Sequence, residues 1–137
     1  MTEVFILKKR KDFVKVASQG QKMVSSALIL QAAFHIPAAN ALPGGAGLGY
    51  TVTKKVGKAH VRNRSKRRLR AAAREIFPTH ALSGVCYVLI GRHNTATRDF
   101  AKLKEEMIIA LKRINKLLTK EKTSHEKAPD SAADSVD

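Results

Sequence analysis

The sequence has no Trp, one Cys and four Pro in 137 residues, and five Phe with two Tyr make up its whole aromatic content. A lone thiol, Cys86, excludes an internal disulfide framework and any site built from several cysteines, and it fits a reducing compartment. No stretch approaches the ~20 apolar residues that a membrane span needs, and the opening MTEVFILKKRKDF has only a short apolar segment before charge begins. These absences read as a soluble, cytoplasmic protein with no membrane association. The most informative absence is acid: from Phe13 to Arg74 there is no Asp or Glu at all.

What is present is positive charge. Lys and Arg number 26 against 11 Asp and Glu, a formal net charge of +15. Ten of the cations fall in residues 54–74, namely Lys54, Lys55, Lys58, Arg62, Arg64, Lys66, Arg67, Arg68, Arg70 and Arg74. Without a carboxylate among them they repel one another until something anionic arrives. A solvated helix face interleaves signs at i and i+4, and this one does not. Six of the ten are Arg, whose planar fork matches phosphate, so a polyanion and most simply a nucleic acid is the expected partner. Residues 122–137 differ in composition, carrying four acids and almost no large aliphatics, and read as a disordered acidic tail behind one domain at 1–121.

Hydrophobic spacing outlines the elements. Residues 9–18 form a short helix in which Phe13, Val16 and Ala17 share a face, ending before Gly20. Residues 23–36 read as extended chain, with Leu28, Leu30, Ala32 and Phe34 on one side and Ala27, Ile29, Gln31 and Ala33 on the other. A Pro- and Gly-rich loop, 37–47, leads by a hairpin to a second strand at 48–53. A helix from Ala59 runs until Pro78, burying a wedge of Val61, Ser65, Leu69, Ala72, Ala73 and Ile76. Residues 85–90 are continuously apolar and belong at the centre of a sheet. A turn at 94–97 and a Thr97 cap introduce a last helix with the seam Phe100, Leu103, Met107, Leu111, Ile114 and Leu118. The class is α+β, an α/β sandwich with a small central sheet and three helices.

One element breaks its own rules. A helix N-terminus carries about half a positive charge and prefers acids or short polar caps, yet this one opens Gly57, Lys58, Ala59, His60, Val61, Arg62. A phosphate seated near Lys54, Lys55 and Arg62 would satisfy both the helix dipole and the cations. Protein-borne catalysis has little to stand on. Histidines 35, 60, 80, 93 and 125 lack paired ligand spacing, Ser65 has no organised base, and the adjacent Glu105 and Glu106 point to different azimuths. A structural RNA-binding protein of the ribosomal kind would share the charge and the size. A helix-turn-helix DNA reader fits less well, because strands and not a partner helix flank the basic helix.

Residues 53–70, T-K-K-V-G-K-A-H-V-R-N-R-S-K-R-R-L-R, resemble the Arg-Asn-Arg signature of the bacterial ribonuclease P protein component. Leu7, Asp12, Phe13, Gly20, Gly49, the apolar strand 85–90 and the last amphipathic helix are similar to the rest of that family's layout, over roughly residues 5 to 120. The resemblance implies a ribosomal-protein-like fold with a left-handed βαβ crossover through the basic helix. It implies the protein subunit of a ribonucleoprotein endonuclease, whose RNA carries the chemistry with Mg²⁺ and removes the 5′ leader of precursor tRNA. It further implies one protein per ribonuclease P RNA, and no catalytic or metal-ligating residue in the protein. Residue by residue, Lys54, Lys55, Arg62, Asn63, Arg64, Lys66, Arg67, Arg68 and Arg70 would lie against RNA.

The family's second site is a cleft between the first helix and an open sheet face, where the single-stranded leader passes. Phe13 matches its stacking aromatic, with Lys15, Thr51 and Thr53 placed to follow the backbone; the plainer alternative is that Phe13 is core. The chain departs from the family pattern at Ala17 and Gln31, where further aromatics are common, and at His60, which follows Ala59 where Val is usual.

Overall fold

A computed structural model describes the backbone of residues 1–131 and the side chains of residues 1–120. In chain order it contains β1 (Val4–Ile6), α1 (Arg10–Gln19), β2 (Gln21–Val24), β3 (Leu28–Phe34), a 3₁₀ turn (Pro37–Ala41), β4 (Ala46–Thr51), a second 3₁₀ turn (Lys54–Val56), α2 (Ala59–His80), β5 (Val85–Gly91) and α3 (Phe100–Ser131). The five strands form one mixed sheet in the order β1-β4-β5-β3-β2. β4 runs parallel to both β1 and β5, while β3 is antiparallel to β5 and β2.

Strand alternation divides the core between the two faces. Leu28, Leu30, Ala32, Leu48, Tyr87 and Leu89 point to the side covered by α2 and α3, where Leu69, Phe77, Met107, Leu111 and Ile114 meet them. Ala33, Cys86 and Val88 point the other way and pack with Val16 of α1, Leu7 and Ile36. A strand apolar on both faces has to be covered on both, which is why β5 takes the middle of the sheet, as its sequence leads one to expect.

The same fact corrects the expected hairpin between residues 23–36 and 48–53. β5 stands between β3 and β4, and the hairpin that forms is β2–β3, turning at Ser25 where the Ser25 N–H donates to the Leu28 carbonyl. The expected single extended segment is thus two strands, and β1 at the sheet edge was too short for its pattern to register. β4 and β5, adjacent and parallel, are joined through α2 as the crossover requires.

α2 also runs through Pro78 to His80 instead of stopping before the proline. A proline so close to the C-terminus costs only the one bond its missing N–H would make, and the carbonyls left over where the helix ends find outside donors. The Thr2 N–H donates to the Pro78 carbonyl at 2.7 Å, the Thr2 hydroxyl to that of Ala81 at 2.9 Å, and the Asn115 amide to that of His80 at 2.7 Å. At the start of α3 the cap is Asp99, whose carboxylate accepts the Lys102 N–H at 3.3 Å, whereas the Thr97 hydroxyl donates to Asn94 within the preceding turn. α3 continues to Ser131, past the boundary expected at 121 and on through Pro129; residues 132–137 of the expected tail lie outside the described residues.

Candidate nucleic-acid interface

The basic surface is built by a turn and the helix that follows it. Lys54 and Lys55 stand exposed on the second 3₁₀ turn, which closes through the Gly57 N–H donating to the Lys54 carbonyl at 3.2 Å. Gly57 adopts φ 154° and ψ −166°, a region open essentially to glycine alone, so the turn depends on that residue. α2 then begins at Ala59 behind an N-cap Lys58 that makes no side-chain cap, with no acid in its first turn, as its sequence indicated. Ser65, Leu69, Ala72, Ala73, Ile76 and Phe77 are buried, which leaves Asn63, Arg64, Arg67 and Arg70 exposed and Arg62, Lys66 and Arg68 half-buried. The Ser65 hydroxyl donates to the Val61 carbonyl at 2.9 Å and is fully buried, so it is not a free nucleophile.

The arginines are held by backbone. Arg62 Nε donates to the Gly57 carbonyl at 3.2 Å, and Arg64 Nε to that of Ala96 at 2.9 Å. Neither bond uses the terminal amino groups, which remain available as a fork for phosphate oxygens. Arg68 is different: Nε donates to the Thr95 carbonyl at 3.0 Å and a terminal nitrogen to that of Arg98, so much of its guanidinium is spent on the turn before α3. Arg70 leans to the opposite flank, 5.6 Å from the centroid of Tyr50. Burial raises the Tyr50 pKa, although Arg70 and Arg74 pull against it. Among the described residues the ion pairs are Arg98–Glu106 and Lys104–Glu75, so no carboxylate lies within bonding distance of Lys54, Lys55, Arg62, Arg64, Lys66, Arg67, Arg68 or Arg70.

On the other face of the sheet Phe13, half-buried against the Val16 cluster, brings its ring up to β4. A Cβ built on Gly49 would stand 2.5 Å from the Phe13 ring, so the glycine is what lets α1 approach. Thr51 sits on the same face, opposite Ile90, which is in turn opposite Ile29, followed by Val24 at the sheet edge. This row, half-buried apart from an exposed Val24, extends the surface beside Phe13 with aliphatic side chains where the family pattern led one to expect an aromatic. It was missed from the sequence, although the alternation had already put Ile29 on that side. The other two expected leader residues are not brought together with Phe13. Lys15 is two positions further along α1, about 200° round the helix, and Thr53 lies beyond the end of β4 at the start of the 3₁₀ turn.

Two buried titratable side chains hold their protons to high pH. Burial pushes the Cys86 thiol up to about 11, with Asp12 adding to the rise, and the Tyr87 hydroxyl up to about 12, where it donates to Asn115 and accepts from the Leu82 N–H. No group of three or more His, Cys, Asp or Glu side chains among the described residues could hold a metal ion. The donors gathered around α2 are cations, which do not fit Mg²⁺, an ion that takes oxygen ligands.

A family model described as Ribonuclease P matches residues 1–115. The chain belongs to that family. It is 43% identical over 129 residues to the ribonuclease P protein component of Paramagnetospirillum magneticum, covering 93% of this chain and 92% of the relative. It is 52% identical over 97 residues to that of Gluconacetobacter diazotrophicus, covering 71% and 79%. Among solved structures, the ribonuclease P protein of Thermotoga maritima superposes with a TM-score of 0.64 at 26% identity, over 80% of this chain and 97% of that one. The Staphylococcus aureus ribonuclease P protein shares the fold, with a TM-score of 0.64 at 21% identity over 78% and 92%. As a ribonuclease P protein component, the chain is part of an endoribonuclease holoenzyme of tRNA processing and a partner of ribonuclease P RNA.

Proposed function

We propose that this chain is the non-catalytic subunit of its holoenzyme, gripping ribonuclease P RNA with one side of the sheet and the 5′ leader of precursor tRNA with the other. Lys54, Lys55, Arg62, Asn63, Arg64, Lys66, Arg67 and Arg70 contact the RNA, and Arg68 braces the surface from behind. The single-stranded leader passes along Phe13 and Thr51, where a base stacked on the ring contributes about 1–3 kcal/mol. Bond breaking belongs to the RNA, which also holds most of the Mg²⁺. One protein per RNA, in the cytoplasm, completes the reading.

The observation that carries it is the start of α2: an uncapped N-terminus among eight cations with no carboxylate in bonding distance. Such a helix end is electrostatically incomplete alone and is completed by phosphate. Two RNAs that must approach each other repel, and the cations reduce that repulsion without entering the bond-breaking step, so less Mg²⁺ is needed. The test adds purified protein to ribonuclease P RNA and precursor tRNA at low Mg²⁺. Leader removal is expected only when protein and RNA are both present. Binding no tighter than to an unrelated RNA, with cleavage unchanged, would overturn the reading.

A further inference from the structure

On the flank that α2 turns toward α3, Arg64, Arg67, Arg68, Ala71 and Phe100 line a shallow notch of about 250 Å³. Positions 64, 67, 68 and 71 follow one helical stripe, so the guanidinium groups converge by spacing alone. Phe100, half-buried at the first position of α3, supplies the aromatic floor. Arg68 stands 5.6 Å from its ring centroid and the Lys104 ammonium 5.1 Å.

The frame of the notch is rigid. Arg64 and Arg68 are tied to the carbonyls of Ala96, Thr95 and Arg98. That turn is locked in its own right: Thr95 is fully buried, and its hydroxyl donates to the Ala27 carbonyl at 2.5 Å and accepts the Arg92 N–H at 2.7 Å. Arg98 pairs with Glu106 at 2.8 Å, and Glu106 accepts the Ala27 N–H at 3.0 Å. What is not tied down is the inner lining. Arg67 and the terminal groups of Arg64 have no hydrogen-bond partner among the described residues, and Lys104 is held by one partly exposed pair with Glu75 at 3.3 Å. An aromatic ring beside unpaired guanidinium donors is the chemistry that recognises a nucleotide, base on ring and phosphate on fork. The volume is below the ~300–1,000 Å³ of small-molecule sites, which suits one base of a longer strand and not a free ligand.

We propose that this notch is a nucleotide subsite of the RNA interface, in which one unpaired base stacks on Phe100 where Lys104 now stands and Arg64 with Arg67 takes the adjoining phosphate. The proposal rests on the reading of the chain as a ribonuclease P subunit. The nucleotide belongs either to ribonuclease P RNA or to precursor tRNA, and the measurement separates these sources.

The full chain is titrated with ribonuclease P RNA alone, and the assembled particle with precursor tRNA. Phe100→Leu keeps an apolar side chain against the core and should weaken one of the two by about fivefold or more, the lower end of base–aromatic stacking, with the salt dependence unchanged. Phe100→Tyr keeps the ring and should bind like the parent. A deficit already present with ribonuclease P RNA alone puts the nucleotide there, and one confined to precursor tRNA puts it in the substrate. Parent-like binding by Phe100→Leu in both titrations, or equal losses for Leu and Tyr, overturns the proposal. Should Phe100→Leu melt early, Arg64→Gln and Arg67→Gln decide: a double variant that loses less than the product of the single losses supports a shared phosphate, and multiplicative losses overturn it. Lys55→Ala with Arg62→Ala, neither of which lines the notch, serves as the control. Lost binding there beside a silent Phe100→Leu removes the notch alone, and intact binding there removes the subunit reading itself.

Discussion

Glu106 is the residue through which three segments meet. Burial draws its pKa up, but the Ala27 N–H, the Ser26 hydroxyl and the Arg98 guanidinium all favour the carboxylate, and the net result lies below the ordinary value. Its contribution to stability is therefore fully present above the unfolded-state pKa, about 4.3, and is lost as the pH falls through the lower folded value. Glu106→Gln should lower the melting temperature at pH 7 and flatten the decline between about pH 5 and pH 3, measured by thermal melts across that range. A variant whose acid limb stays as steep as the parent's would remove Glu106 from this role. Neither partner set was legible in the sequence. Ser26 and Ala27 lie about eighty residues from Glu106, and only the fold brings the β2–β3 turn against α3.

At the scale of elements, α2 shows what a sequence can and cannot disclose. Most of its buried wedge, its basic surface and its missing cap were readable, because helical spacing and capping are local, although Val61 is only half-buried and Phe77 joins the buried set. The role of Arg68 was not, since the carbonyls it binds lie on a turn 27 and 30 residues further along the chain. The expected β3–β4 hairpin failed for the same reason. Nothing between residues 34 and 46 says that β5 will intervene, whereas the doubly apolar β5 did announce its central position. The missing cap leads to a prediction about the whole helix. Lys58→Asp supplies both a cap acceptor and a charge that complements the dipole, and should stabilise the fold by ~1 kcal/mol. The same change places a carboxylate where phosphate is expected, so affinity for ribonuclease P RNA should fall. A higher melting temperature with weaker RNA binding is the expected pair of results. Stabilisation with undiminished binding would mean that phosphate does not approach this end of α2.

At the scale of the molecule, the sheet separates two surfaces that share few atoms. The Arg-rich helix covers one face, and α1 brings Phe13 onto the other, so each can be altered without touching the other's contacts. With residues 122–137 set aside, their two Lys included, 24 basic side chains face seven acidic ones, and this excess acts over the whole particle through a field that salt screens. The two surfaces should then respond differently. Arg62→Ala with Arg64→Ala should weaken assembly with ribonuclease P RNA and reduce the slope of affinity against salt by about two phosphate contacts. Phe13→Ala should leave assembly and its salt slope intact while reducing the preference for precursor tRNA over mature tRNA, because the lost contact is stacking on a leader that mature tRNA lacks. Combined, the free-energy changes should add within about 0.5 kcal/mol, as for sites with no shared partner. Strong non-additivity would mean that one RNA path crosses both faces, and an equal loss for precursor and mature tRNA in Phe13→Ala would return that ring to the core.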